Sequence, residues 1–428
     1  MIRCCAIACV GAAGCTYFTD SFKTNEFSGD LHPIDVETAS GALVVGLRQS
    51  GLPDRTAVLD LLSPITLVDP GRDVSPSLTT VTMLVLGTGA TGELDLPRAR
   101  LSDARVFAIH PCADDACSVG PAEAPRSYDA IIGADALAGD AVRLRLGFDQ
   151  ILLLADVAGN EPERSAACDA VFPEPYRGGG TLVIAGSELE FTGRRVTIQS
   201  CLGADPDPAL PQGLRGTDAL MLASTGIGSS LLGAATYERY RLMHDLRDPT
   251  LPPVPPFDQL PEAVVFLPSG PIVGRRATID RMALIAGSSS SQRAPCRQVF
   301  AHHLLSERDC VRGEDCPCEN GATFCPIPAI VELAPPAGLD VLVVSDEEPT
   351  LQALRAELRP DQPEVDGILG TNALRTTELD IDYPNARVLA RCTLAECETR
   401  PALPERDARS RVLSCIAAGP IPAVRSEP

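Results

Sequence analysis

Short apolar runs, many of them alternating with polar residues, are separated along this chain by Gly, Pro and Asp, which is the pattern of strands and turns. Strands are predicted at residues 42–47, 56–61, 79–86, 105–109, 142–146, 151–154, 181–185 and 196–199. The series continues at 219–222, 263–267, 277–285, 340–344, 379–382 and 387–390. The best helix candidates are residues 230–242 and 350–358. The chain therefore reads as mainly β. Segments 205–213 and 248–256, rich in Pro, Gly and Asp, mark a boundary and a long surface loop, and Ser288–Ser291 opens a cysteine-rich insertion.

An internal repeat is the most informative feature. Tyr128-Asp129-Ala130-Ile131-Ile132-Gly133-Ala134-Asp135-Ala136-Leu137 is matched by Val365-Asp366-Gly367-Ile368-Leu369-Gly370-Thr371-Asn372-Ala373-Leu374, and an alternating strand follows each copy. Upstream of the copies lie Ala57-Val58-Leu59-Asp60-Leu61-Leu62-Ser63-Pro64-Ile65-Thr66 and Leu220-Met221-Leu222-Ala223-Ser224-Thr225-Gly226-Ile227-Gly228-Ser229-Ser230. Together these elements resemble the two lobes of the pepsin-like and retropepsin-like aspartic peptidases. Each lobe of that family has an apolar strand running into Asp-Thr/Ser-Gly and, later, a hydrophobic-hydrophobic-Gly element. The resemblance spans about residues 41 to 395. It implies a mainly β, two-lobed aspartic-peptidase-like β-barrel fold with a cysteine-rich insertion in the second lobe and a cleft between lobes. The lobes are expected at 41–205 and 206–400, with the insertion at about 288–328 and a C-terminal tail at 401–428.

Catalysis in that family needs two carboxylates sharing one proton, one ionised to activate water and one protonated to polarise the carbonyl. Asp60 occupies the first of these catalytic positions, whereas Ser224 stands where the second Asp is missing. A serine hydroxyl does not ionise near working pH, so the dyad is degenerate. Thr225 and Gly226 keep the cleft-support residues that the resemblance implies, a hydroxyl beneath the pair and a glycine that admits close approach, while Leu61 and Leu62 do not. Substitute acids are distant: Asp218 precedes Ser224 by six residues, roughly 20 Å of extended chain, and Asp69 lies nine residues beyond Asp60. Ser224 has no Gly-x-Ser-x-Gly elbow and no evident histidine base.

Composition narrows the field further. With 36 Lys+Arg against 57 Asp+Glu the formal charge is −21, and no basic block offsets it, so nucleic acid is not an expected partner. The only lysine is Lys23, which excludes Schiff-base, P-loop and Ser-Lys chemistry. Aromatics make up 4% of residues and Trp is absent, leaving little for stacking platforms that bind sugars or bases.

The N-terminus carries one charge, Arg3, and then small apolar residues as far as Cys15, a secretion signal too short to span a bilayer. Ala12-Ala13-Gly14-Cys15 resembles the bacterial lipobox, which makes Cys15 the expected lipidation site. Ala6-Ile7-Ala8-Cys9 is a weaker competitor, and plain signal cleavage near residue 14 is the alternative. Thr16 after the cysteine implies the outer membrane of a Gram-negative bacterium, with residues 1–14 as signal peptide and 15–40 as a polar tether. The twelve cysteines beyond Cys15 suit six disulfides in an oxidising compartment, and the four-residue spacers of Cys112/Cys117 and Cys392/Cys397 allow small local loops. Cys310, Cys316, Cys318 and Cys325 near His302 and His303 lack zinc spacings, so neither a metal nor a cofactor is expected.

The resulting expectation is a cell-envelope lipoprotein without catalysis that binds a peptide or polypeptide between its lobes. Two alternatives stay open at this point: an active aspartic endopeptidase with an unidentified second acid, and a purely structural envelope protein.

Overall fold

A computed structural model describes residues 27–28, 34–38, 41–88, 94–112, 117–137, 139, 141–154, 170–173, 175–184, 187–204, 216–247, 249–250, 252–285, 296, 330–333, 335–357, 363–393 and 397–400. Cys15, most of the cysteine-rich insertion and the C-terminal tail lie outside them.

Among the described residues strands dominate, as the alternating pattern predicts, and they form three sheets. In the first half, Leu94–Ala108, Leu67–Val68, Ala130–Ile132, Arg55–Leu59, Val44–Gln49 and Ser77–Thr88 are hydrogen-bonded in that order, and Ser77–Thr88 pairs back onto Leu94–Ala108, closing a six-stranded barrel. A second sheet joins the halves. Its central pairing is Ala141–Arg145 against Thr377–Asp382, the two strands that follow the repeat copies, with Val142 opposite Ile381 and Arg143 opposite Asp380. The third sheet has thirteen strands, drawn mostly from the second half. The mainly β, two-lobed architecture implied by the family resemblance is thus the one observed, each lobe built around one repeat copy.

Three expectations need correction. Part of the stretch expected as a tether is folded in: Ile34–Asp35 pairs with Gln150–Leu154, and Ile34 and Val36 are buried in the main core. Residues 277–285 are two strands, Gly270–Ile279 and Met282–Ile285, because the chain bends at Asp280, which accepts hydrogen bonds from Tyr240 and Arg247. The helix expected from residue 230 starts at Ala234 and runs to Arg247. Ser230–Gly233 is instead a strand, parallel to Leu339–Val344 and antiparallel to Gly367–Leu369. The Asp346 carboxylate accepts from Ala235 N at 2.7 Å, and this remote cap sets the helix start. The helix then buries Thr236, Tyr237, Tyr240 and Met243, its i, i+1, i+4 and i+7 stripe. The second helix, Pro349–Glu357, lies where the sequence places it.

The lobe boundary expected at 205 falls outside the described residues, but Ser187–Leu202 just before it pairs with Thr217–Ala223 and Met282–Ile285, so by hydrogen bonding it belongs to the second lobe's sheet. Disulfides join Cys112 to Cys117, Cys392 to Cys397 and Cys201 to Cys296, the last tying the start of the insertion to the sheet. Among the described residues no helix is long and apolar enough to cross a membrane.

Candidate functional site

Asp60 and Ser224 each follow a strand that runs parallel to the hydrophobic-hydrophobic-Gly element of its own half. Val58 and Leu59 lie beside Ile131 and Ile132, and Leu222 and Ala223 beside Ile368 and Leu369. Four bonds are then repeated in the two halves. Asp60 N donates to Ile132 O at 3.0 Å, and Ser224 N to Leu369 O at 2.9 Å. Ala134 N donates to Ser63 O at 2.8 Å, and Thr371 N to Ile227 O at 3.0 Å. Gly133 N donates to the Thr66 hydroxyl at 3.2 Å, and Gly370 N to the Ser230 hydroxyl at 3.1 Å. Those hydroxyls in turn donate to Asp135 Oδ1 at 2.7 Å and Asn372 Oδ1 at 3.0 Å. Sequence reading gave no role to Thr66, Ser230, Asp135 or Asn372. The signal was present, since Thr66 and Ser230 each lie six residues beyond the dyad position and the side-chain acceptors two beyond the repeat glycine.

This symmetry brings the predicted residues together. Ser224 Oγ donates to Asp60 Oδ1 at 2.8 Å, and Leu62 N and Gly226 N donate to the same oxygen at 3.0 and 3.2 Å. Thr225 Oγ1 donates to Leu59 O at 2.6 Å and accepts from Leu61 N at 3.2 Å, which knits the second half to the first. The reciprocal bond is missing because Leu61 has no hydroxyl; its side chain is fully buried in the main core. Leu62 packs instead against the apolar cluster of the second lobe. A Cβ added to Gly226 would lie 2.7 Å from Asp60 Cγ and 3.1 Å from Pro268 Cγ, so only glycine fits.

Asp60 is 4% exposed, and Ser224 and Thr225 are fully buried. Burial raises the Asp60 carboxyl above its ordinary value, opposed by the hydrogen bonds from Leu62, Ser224 and Gly226 and by the nearby Arg195 charge. Arg195 donates to Leu62 O at 2.9 Å, and its own value falls to about 10 because burial outweighs the pull of Asp60. Its role was invisible in the sequence, since it comes from Ser187–Leu202, a strand with no motif. Asp69 and Asp218 are committed elsewhere: Asp69 accepts from Gly71 N and faces His110 Nδ1 at 2.8 Å, and Asp218 accepts from Cys296 N.

A hairpin of the second lobe lies over this pair. Its strands are Glu262–Leu267 and Gly270–Ile279, with Pro268 in the turn, packed on the Gly226 side of Asp60. The first of them crosses to the first lobe, where Val265 and Phe266 pair with Pro121 and Gly120 of Ser118–Pro121, and Ala122 N donates to Val264 O at 3.2 Å. The hydroxyl of buried Tyr128 donates to Pro268 O at 2.7 Å and fastens the turn. A cavity of 380 Å³ remains along the lobe seam, lined by Gly41, Gly120, Gly228, Arg276, Asn372 and Arg375 among others, but neither Asp60 nor Ser224 reaches it. Two clusters of metal-capable side chains occur among the described residues, Asp69/His110/Cys117 and Cys201/Asp218/Cys296. Both include disulfide sulfurs, which lack the thiolate charge that binds metal.

No family model and no curated protein sequence matches the chain. Solved structures with a similar backbone include the basic 7S globulin of soybean, at 11% identity over 93% of this chain and 100% of that one, with a TM-score of 0.38. An aspartic proteinase of Irpex lacteus is similar at 11% identity over 85% of this chain and 97% of its own, with a TM-score of 0.33.

Proposed function

We propose that this protein is a catalytically inactive, aspartic-peptidase-like protein of the cell envelope, exported, held at the outer membrane by a lipid on Cys15, and binding a peptide or polypeptide between its lobes. The observation that supports the loss of catalysis is the contact of Ser224 Oγ with Asp60 Oδ1: the position facing the one carboxylate holds a neutral donor. Two carboxylates are needed to hold one proton between them and to alternate as base and acid. The charged group acting on Asp60 is Arg195, and among the described residues no second acid bonds to it. That weighs against the endopeptidase alternative. The closed hairpin over the pair favours the purely structural alternative as the second reading.

The test is cleavage of an unfolded protein between about pH 3 and pH 6, the range of carboxylate titration. Wild type and Ser224→Asp are expected to be inactive, the latter because Leu61 and Leu62 leave the restored pair unsupported. Ser224→Asp with Leu61→Thr and Leu62→Gly is the variant expected to show weak activity. Wild-type cleavage abolished by Asp60→Asn overturns the proposal.

A further inference from the structure

The hairpin over the pseudo-dyad has the features of an occupant. Residues 264–266 run extended and antiparallel to Gly120–Ala122, the geometry of a peptide adding a strand to a sheet edge. Pro268 packs at Gly226 beside Asp60, and its carbonyl takes the Tyr128 hydroxyl. Most of this contact crosses between the lobes, whereas the hairpin's internal pairing is complete without it.

The contact is also small. Among the described residues, hairpin and seat are in register at two pairs, Val265/Pro121 and Phe266/Gly120, and Pro121 has no N–H to give. Within the hairpin six residue pairs run from Glu262/Arg275 to Leu267/Gly270. The central sheet joins the lobes through four pairs from Ala141/Asp382 to Leu144/Leu379 and four more from Ala170/Ala390 to Pro173/Arg387, reinforced by two hydrogen bonds between Arg143 and Asp380 at 2.5 and 2.7 Å. The hairpin itself stays with the second lobe, through the pairing of Arg275–Ile279 with Leu339–Val343 and the burial of Val265, Leu267 and Ile272 in that lobe's apolar cluster. Local opening follows the weakest contact, so it is the seam between hairpin and seat that parts while the central sheet keeps the lobes joined.

We infer that Ala263–Gly270 is a built-in stand-in for an extended polypeptide, a strap that keeps the seat on Ser118–Pro121 occupied until a β-strand-forming segment of a partner displaces it. This rests on the polypeptide-binding part of the preceding proposal and names its seat. The strap competes in cis, so affinity for a peptide in trans falls by the fraction of molecules whose seat is empty.

The probe is the labelled octapeptide Ala-Val-Val-Phe-Leu-Pro-Ser-Gly, the sequence of residues 263–270. Tyr128→Phe weakens the strap by removing the bond to Pro268 O, and Pro268→Ala weakens it by removing the packing on Gly226. Pro121→Cys with Val265→Cys locks it by a disulfide between facing residues. Hydrogen exchange of residues 118–122 reports in each variant whether the seat is open and the rest folded. The expected result is binding at least tenfold tighter to the weakened variants than to wild type, and at least tenfold weaker to the locked one. Equal binding of the octapeptide by locked and weakened forms overturns the strap. Reduced, carboxymethylated α-lactalbumin serves as a second probe. Its capture by locked and open forms alike leaves polypeptide binding standing while the strap falls. Capture of neither probe by a variant whose 118–122 amides exchange freely overturns both.

Discussion

Asp60 shows how one buried residue couples the site to pH. Burial raises its carboxyl in the folded chain, so the folded state holds the proton more tightly than the unfolded state does. The sign follows: this residue's contribution to stability is most favourable below the ordinary carboxylate value and declines as pH rises through the elevated folded value. Asp60→Asn removes the titration while keeping an oxygen for the Leu62, Ser224 and Gly226 donors. Its melting temperature relative to wild type is therefore expected to be higher at pH 7 than at pH 4, as differential scanning calorimetry of the pair will read; a difference independent of pH would contradict the burial argument. Gly226 lies on the same fine scale. Gly226→Ala forces a methyl against the carboxylate and Pro268, and a loss of about 1–3 kcal/mol is expected by urea titration. Both residues were legible in the sequence, because the repeat marks them. Arg195 was not, since an arginine on an unmarked strand gives no sign of which carboxylate it will approach.

At the scale of elements, local pattern located strands well and their ends less well. The Ala234–Arg247 helix is the instructive case, because Ser230 has the chemistry of an N-cap yet the helix begins four residues later. Ser230 is taken by Gly370 and Asn372 as part of the duplicated frame, and Asp346, more than a hundred residues away, caps the helix instead. Asp346 also binds Arg355 at 3.0 Å, so Asp346→Ala is expected to destabilise the protein by about 1–2 kcal/mol. Far-UV circular dichroism during thermal melting will measure it. Ser230→Ala is expected to act on the Gly370 turn without shortening the helix. The bend at Asp280 has a similar origin, in Tyr240 and Arg247 of that helix rather than in a local Gly or Pro.

For the whole molecule, the junction of the lobes is decisive. Arg143 and Asp380, at equivalent places after the two repeat copies, bond across the central sheet, and Asp380 is nearly inaccessible. Asp380→Ala removes both bonds and leaves Arg143 to the Glu378 carboxylate at 3.6 Å, so it is expected to cost about 1.5–3 kcal/mol. Urea denaturation should show an earlier midpoint and, if the lobes then unfold separately, a shallower slope. The proposed lipid on Cys15 belongs to this scale too. The native protein is expected to partition into detergent, and Cys15→Ser to leave it soluble or unprocessed; unchanged partitioning would point to Cys9 or to no lipid.

The strand content, the duplication, the two-lobed plan and the mismatch of Asp60 with Ser224 are legible in the amino-acid order alone. Each of these is written in short-range pattern or in repetition, which survives without knowledge of contacts. The roof of Pro268 over the pair, the Tyr128 bond that fastens the turn and the strand of the other lobe on Ser118–Pro121 emerge with the assembled fold. The physical reason is that pairing between distant strands depends on which edges are left unfilled once both lobes have closed. An edge is a property of the assembled sheet, not of the residues that form it.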